Sequence, residues 1–219
     1  MDTPTPIDLA TWPRRPHFEH YLHAVPCTYS MTVELDVTEF VRALRGSPRR
    51  TYVAQIWALG TIVNRREEFR MCLAESDAPA TWPVLHPSFT IFNTERETFS
   101  SVWAPYDADF GTFHDGAADL LDRYRDSTEF FPQGGQPPNT FDVSSLPWAS
   151  FTGFNLNIRD AWRHLAPIFT LGRYQEGDGR VFLPLSLQVH HAAADGFHSA
   201  RFVNELQALL ADPSWVGGE

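Results

Sequence analysis

The segment Val181–His191, VFLPLSLQVHH, keeps a period of two over its eleven residues. Val181, Leu183, Leu185, Leu187 and Val189 fall on one side and His191 continues their row, while Ser186, Gln188 and His190 fall on the other. A strand of that length carries one face that must be covered, and it can only do so as part of a sizeable sheet. The tight turn EGDGR just before it joins it in a hairpin to a strand over 166–175. A second alternation sets Tyr29, Met31, Val33, Leu35 and Val37 against Ser30, Thr32, Glu34 and Asp36, which predicts another half-buried strand. Shorter strands are expected around 69–74, 80–84, 88–94, 97–104 and 148–157.

Helical spacing supplies the cover. Thr38 is expected to cap a short helix that RGSP ends. Tyr52, Ile56, Leu59 and Val63 form an apolar stripe on a helix over 51–68, and Phe110, Phe113, Ala117, Leu120, Leu121 and Tyr124 do so over 109–126. Phe202, Val203, Leu206, Leu209 and Leu210 mark a closing helix over 197–211, and FPQGGQPPN is a loop by composition. No repeat or linker divides the chain. The fold class is therefore α/β (α+β): a two-layer sandwich of one large mixed β-sheet with packed helices, over 11–212. Residues 1–10 and 213–219 are expected to be tails, the first of them mobile.

The chain has 219 residues, 43% of them hydrophobic, enough for a large core. Its formal net charge of −10 argues against a nucleic-acid partner. The most apolar stretch, TYVAQIWALGTIV, is too short for a membrane span and carries Gln55. The first sixteen residues lack the pattern of a secretory signal. Cys27 and Cys72 form no Cys-x-x-Cys pair, so a reduced cytoplasmic protein is expected.

The polar chemistry concentrates in QVHHAAADGFH. His190 and His191 point to opposite faces of one strand, and no partner stands at metal-ligand spacing, which weakens a metal site. A hydrogen-bonded core histidine is the plain alternative. Against it, His191 lies where the strand runs out, three alanines leave room beside the ring, and Asp195 and Gly196 can turn the chain into a helix. A neutral imidazole at the mouth of an apolar cleft suits general-base work.

The same residues closely resemble the His-x-x-x-Asp-Gly signature of the chloramphenicol acetyltransferases, in the superfamily with the CoA-dependent acyltransferase fold. RRPHFEHY, PCTYS, NRREEFRM, FTIFNTERETFS, FFPQG, SSLPWASF, FNLN and APIFTLGRYQ resemble family segments in the family's order, from about residue 12 to 210. The resemblance implies acetyl transfer from acetyl-CoA, as co-substrate, to the primary (3-) hydroxyl of chloramphenicol, conferring antibiotic resistance, with no metal and no acyl-enzyme. It implies His191 as general base and Ser144 as donor to the oxyanion of the tetrahedral intermediate. Composition alone reads Ser144 as a turn residue, and Ser145 stands beside it. Asp195 is implied to form a structural ion pair with Arg14, and Thr170 to hold a water.

Tyr21, Cys27, Phe99, Phe131, Phe154 and Ile168 match positions that line the antibiotic pocket. Arg50, Arg173 and Tyr174 match positions near the coenzyme. The family assembles as a homotrimer with active sites between subunits. Departures from its pattern are Ala193-Ala194 in place of Val-Cys, Pro16 where an acidic residue is common, and His20 where an aromatic is common. They bear on the preferred acceptor. A CoA-dependent O-acetyltransferase of another hydroxyl and a non-catalytic drug-binding protein are the rival readings.

Overall fold

A computed structural model describes residues 2–74, 77–157 and 163–217 of the chain. Ten strands and five α-helices follow in the order β1 (Thr5–Pro6), α1 (Arg15–Glu19), β2 (Thr28–Asp36), α2 (Thr38–Leu44), α3 (Thr51–Arg65), β3 (Met71–Leu73), β4 (Pro79–Thr81), β5 (His86–Asn93), β6 (Thr98–Trp103), α4 (Phe110–Arg123), β7 (Thr140–Ser145), β8 (Ile168–Leu171), β9 (Gln175–Gly177), β10 (Arg180–His190) and α5 (Gly196–Ala211). The main sheet runs β2-β10-β8-β7-β5-β6, with β9 also on β10. β7 is parallel to both β5 and β8, and the other pairings are antiparallel, so the sheet is mixed.

The long alternating strand β10 is the axis of this sheet. Leu183, Leu185, Leu187 and Val189 are buried in one core with Phe141, Phe169 and residues of α2, α3 and α5, Phe202 among them. Asp178 and Gly179 make the two-residue turn into β10, with φ of 51° and 73°, which matches the strands' twist. The opposite, polar face is covered by the segment 149–157 rather than by helices. Phe154 N–H reaches Thr32 Oγ1, Leu156 N–H reaches Gln188 Oε1, and Ser186 Oγ donates to the Phe154 carbonyl. Gly172 permits this cover: a Cβ there would lie 3.0 Å from the Phe151 ring and 3.1 Å from Pro184.

Several expectations from the sequence are corrected. Residues 148–157, read as a strand, form no ladder among the described residues: Ala149 bonds the backbone of Leu146 and Arg173, and Phe154 and Leu156 bond side chains of the sheet. The strand β7, which sequence reading passed over, occupies the middle of the sheet. Thr38 is not a cap: Val37 holds that position, and Thr38 Oγ1 binds Asp36 and accepts the Val181 N–H. The helix α3 stops at Arg65 and is buried on all sides from Val53 to Val63, so its polar residues need partners: Gln55 donates to Tyr174, and Thr61 pairs with Tyr106. In the segment expected to be an N-terminal tail, Thr5 and Pro6 pair with β4 in a small sheet, β1-β4-β3. Near the other end, the Trp215 ring packs tilted against Trp57 at 4.6 Å and edge-on to Phe110 at 4.9 Å. Residues 218 and 219 of the expected C-terminal tail lie outside the described residues.

Candidate active site

Both histidines of the pair are fixed by the end of β10, and their roles separate there. His190 is buried: its Nδ1 accepts the Ala192 N–H, and its carbonyl takes the N–H groups of Ala193 and Ala194. It therefore shapes the loop. β10 ends at His190, so His191 stands just beyond the strand, with its own N–H on the Cys27 carbonyl. Its ring is stacked on Tyr21 at 3.8 Å and 7°, and Tyr29 meets it edge-on at 5.1 Å. His191 Nδ1 is shut off from solvent without a hydrogen-bond partner among the described residues, which leaves Nε2 as the nitrogen to meet an acceptor. The alanines have a packing reason: Ala192 and Ala193 are buried under Phe18 and Leu22 in a small satellite core that the N-terminal helix completes.

Asp195 caps α5. Its Oδ1 accepts the Phe197 N–H, and His198 reaches back to the Asp195 N–H, closing a capping box. Asp195 Oδ2 is also ion-paired with Arg14 Nη1. Burial works to raise the carboxyl's pKa, but the Arg14 hydrogen bond and the charges and hydrogen bond of His198 and Arg14 outweigh it, so the group titrates below the ordinary carboxylate range.

Replacing Asp195 by Asn keeps a good helix cap and removes the charge that faces Arg14 and His198. For this part-buried pair the loss should be about 2 kcal/mol, between the values typical of exposed and of buried pairs. Because the folded-state pKa is depressed, the pair's contribution is present above the unfolded carboxyl's pKa and lost as pH falls through the folded one. Thermal melts of Asp195→Asn should thus fall below wild type at neutral pH and converge with it in acid. If melting were unchanged and only the pH–rate profile moved, Asp195 would belong to the proton transfer instead.

A second polar group lies elsewhere on the sheet. The parallel register of β7 and β8 sets Ser144 beside Thr170, with 3.0 Å between their hydroxyls. Ser144 Oγ is also 3.5 Å from the Phe169 carbonyl. Its neighbour Ser145 instead lines a cavity of about 430 Å³ between α3, β5 and the ends of β7 and β8. Ile91, Phe92, Pro147 and Trp148 wall this cavity, and Arg173 and Tyr174 face into it. Burial pushes the Tyr174 phenol well up and that of Tyr52, also lining the cavity, to about 12, so both stay protonated. Arg50, the third residue assigned to the coenzyme, turns away to Asp122 and the Ala118 carbonyl on α4.

The other candidates fall into groups. Tyr21 and Cys27 surround His191, and burial raises the Cys27 thiol's pKa, which argues against a reactive thiolate. Phe99 and Phe131 are exposed and joined through Phe130, while Phe154 and Ile168 lie on the polar face near Ser144. His20 packs its ring edge on Tyr21. The main separation is between His191 and Ser144. Ser144, Thr170 and Ser186 are in register across β7, β8 and β10, and His191 is five residues beyond Ser186. At roughly 3.3 Å per residue that is about 16 Å along the strand, with about 10 Å more across two strand spacings. Sequence reading missed Asp142, two residues before Ser144 on the same face of β7. The alternation Phe141/Val143 against Asp142/Ser144 is its only signal.

A large mixed sheet with helices packed on it is the architecture of the CoA-dependent acyltransferase fold. A solved chloramphenicol acetyltransferase superposes with a TM-score of 0.86 at 20% identity, covering 95% of this chain and all of the other. A dihydrolipoamide acetyltransferase of Azotobacter vinelandii does so with a TM-score of 0.68 at 20% identity, over 92% of this chain and 88% of that one. Sequence narrows the class. The family model described as chloramphenicol acetyltransferase matches residues 3–207. A chloramphenicol acetyltransferase of Streptomyces acrimycini is 71% identical over 99% of this chain and 98% of its own length, and one of Clostridium perfringens 44% identical over 96% and 97%. The chain belongs to the chloramphenicol acetyltransferase family.

Proposed function

We propose that this chain transfers the acetyl group of acetyl-CoA to the primary (3-) hydroxyl of chloramphenicol, in a ternary complex without an acyl-enzyme, and so confers resistance to the drug. The observation that carries the reading is the 71% identity, end to end, to a relative bearing that name. His191 takes the hydroxyl proton through Nε2 as the oxygen attacks the thioester carbonyl. Ser144 donates its hydroxyl hydrogen to the oxyanion that forms there, and Thr170, with its hydroxyl 3.0 Å from that of Ser144, holds a water at the same intermediate. When the oxyanion collapses, the departing thiolate takes the proton back from His191, which is thereby ready for another cycle. An alcohol is a weak nucleophile at neutral pH, so the base is needed.

The cavity of about 430 Å³ beside Ser145 suits the thioester arm of acetyl-CoA, with Arg173 and Tyr174 at hand for its polar groups. The coenzyme supplies an activated acetyl group; this chain holds it and aims the acceptor at it. The separation of His191 from Ser144 within one chain is far beyond the ~3 Å reach of a proton transfer. It supports an active site shared between subunits of a homotrimer, His191 from one facing Ser144 of the next. Tyr21 and Cys27 would then come to the drug with His191, and Phe99, Phe131, Phe154 and Ile168 with Ser144. No described helix is long and apolar enough to cross a membrane, and we place the enzyme in the cytoplasm.

The test is thiol release from acetyl-CoA, followed with a chromogenic disulfide, with and without chloramphenicol. Drug-dependent release with 3-O-acetylated product is expected. Binding of the drug with no thiol released would leave a drug-binding protein, and release only with other alcohols would reassign the acceptor.

A further inference from the structure

Asp142 projects from β7 between two residues with other roles. Ile168, a drug-pocket position, is its register partner on β8, and Ser144 is the next residue on the same face, about 7 Å along the strand. On the other side Ser88 of β5 is its register partner, with Ser101 and Gln136 beyond it. The carboxylate faces His164, whose Nε2 lies 3.6 Å from Asp142 Oδ2. The proposed transfer of acetyl to an uncharged drug gives no role to a carboxylate at this position beside Ile168 and Ser144.

Given the drug site proposed above, we propose that Asp142 is a specificity-determining residue for the acceptor: with His164 it takes up a proton when an uncharged acceptor covers it, and while ionised it repels anionic acceptors. The reason is solvation. In the single chain the Asp142 side chain is half-exposed, and covering an ionised carboxyl with an uncharged drug removes water that solvates the charge. Burial already raises the Asp142 pKa, offset in part by the His164 charge and the Ser88 hydroxyl, and it lowers that of His164, offset in part by Asp142. Both moves favour the neutral forms, and a bound drug extends them. The two groups titrate as a pair, so the proton belongs to both.

Other charged or titratable groups stand around this face. His86, two residues before Ser88 on β5, has Asp2 near it. Arg163 is paired with Asp77, and Cys72 shares a cavity with His164. Burial pushes the Cys72 thiol up to about 11, out of the range concerned. β8 presents only Ile168 and Thr170 on this face, and β6 presents Ser101.

The experiment is equilibrium binding of chloramphenicol, which carries no group that titrates between pH 5 and 8, to the assembled protein. His191→Ala is the background, so that the base contributes no titration. The Kd should tighten about three- to tenfold from pH 8 to pH 5, since each unit by which the bound drug raises the pair's pKa gives a tenfold range. Adding Asp142→Asn should flatten the profile at its tight, acid-side value, and Asp142→Ser should flatten it likewise. Adding His86→Asn should leave the slope in place. A flat profile with Asp142 present, a slope that survives both Asp142 variants, or one abolished by His86→Asn would each overturn the inference. Absence of drug binding at every pH would overturn the proposed function itself.

Discussion

His191→Ala should lose turnover by about 10³–10⁴-fold while binding chloramphenicol almost as wild type does. General bases are typically worth ~10²–10⁴ in rate, and the role proposed for His191, taking the proton of an unactivated alcohol, puts the expectation at the upper end. The drug's affinity should change little because the ring meets it at one edge. The imidazole's face is already occupied by Tyr21 and its backbone by Cys27. The substitution opens a small void beside Tyr21, so His191→Gln, which fills more of that space without supplying a base of suitable pKa, should be just as inactive. Steady-state thiol release with titrated drug affinity checks both. Turnover within about tenfold of wild type in either variant would take the base role away from His191.

The sheet and its covering helices were legible wherever period two or 3.6 ran long enough. β10 and β2 announce themselves in nine or more alternating residues, and α5 and α4 in apolar stripes, α5 with Asp195 at its start as well. β7 escaped because its inward row holds only Phe141 and Val143 and it follows a Pro- and Gly-rich loop. The segment 148–157 misled in the opposite sense. Its Trp148, Phe151 and Phe154 have strand composition, but the N–H groups of Phe154 and Leu156 are taken by Thr32 and Gln188, which no local pattern reports. In α3 the amphipathic stripe was a half-truth, since Tyr174 and Tyr106 arrive from distant segments to satisfy its polar side.

The site divides the same way. His191 could be picked out by position, at the end of a strand, before small residues and a helix cap. Ser144 could not, because what sets it apart from Ser145 is a hydroxyl 26 residues away that only the β7–β8 pairing brings near. The resemblance supplied that choice. Asp142 had neither signal: a single acidic residue in a short strand reads as a solvated one until its register neighbours are known.

Ser144→Ala should lower kcat by about 10²–10³ with KM for both substrates nearly unchanged. A hydroxyl aimed at an oxyanion gains strength only as charge develops, so its loss is felt in the transition state and not in the ground state. Thr170 Oγ1 lies 3.0 Å from Ser144 Oγ, so the Ala variant also removes the partner of that hydroxyl. A pure KM effect would make Ser144 a binding residue. The same variant also tests the shared site. If His191 acts across a subunit boundary, unfolding and refolding His191→Ala and Ser144→Ala chains together must restore activity, because some boundaries then join an intact His191 to an intact Ser144. Such recovery cannot occur if both residues serve the same chain, since every chain in the mixture lacks one of them. Mixed trimers as inactive as either parent would therefore place the whole reaction within one subunit, against the roughly 16 Å of strand that lies between these residues.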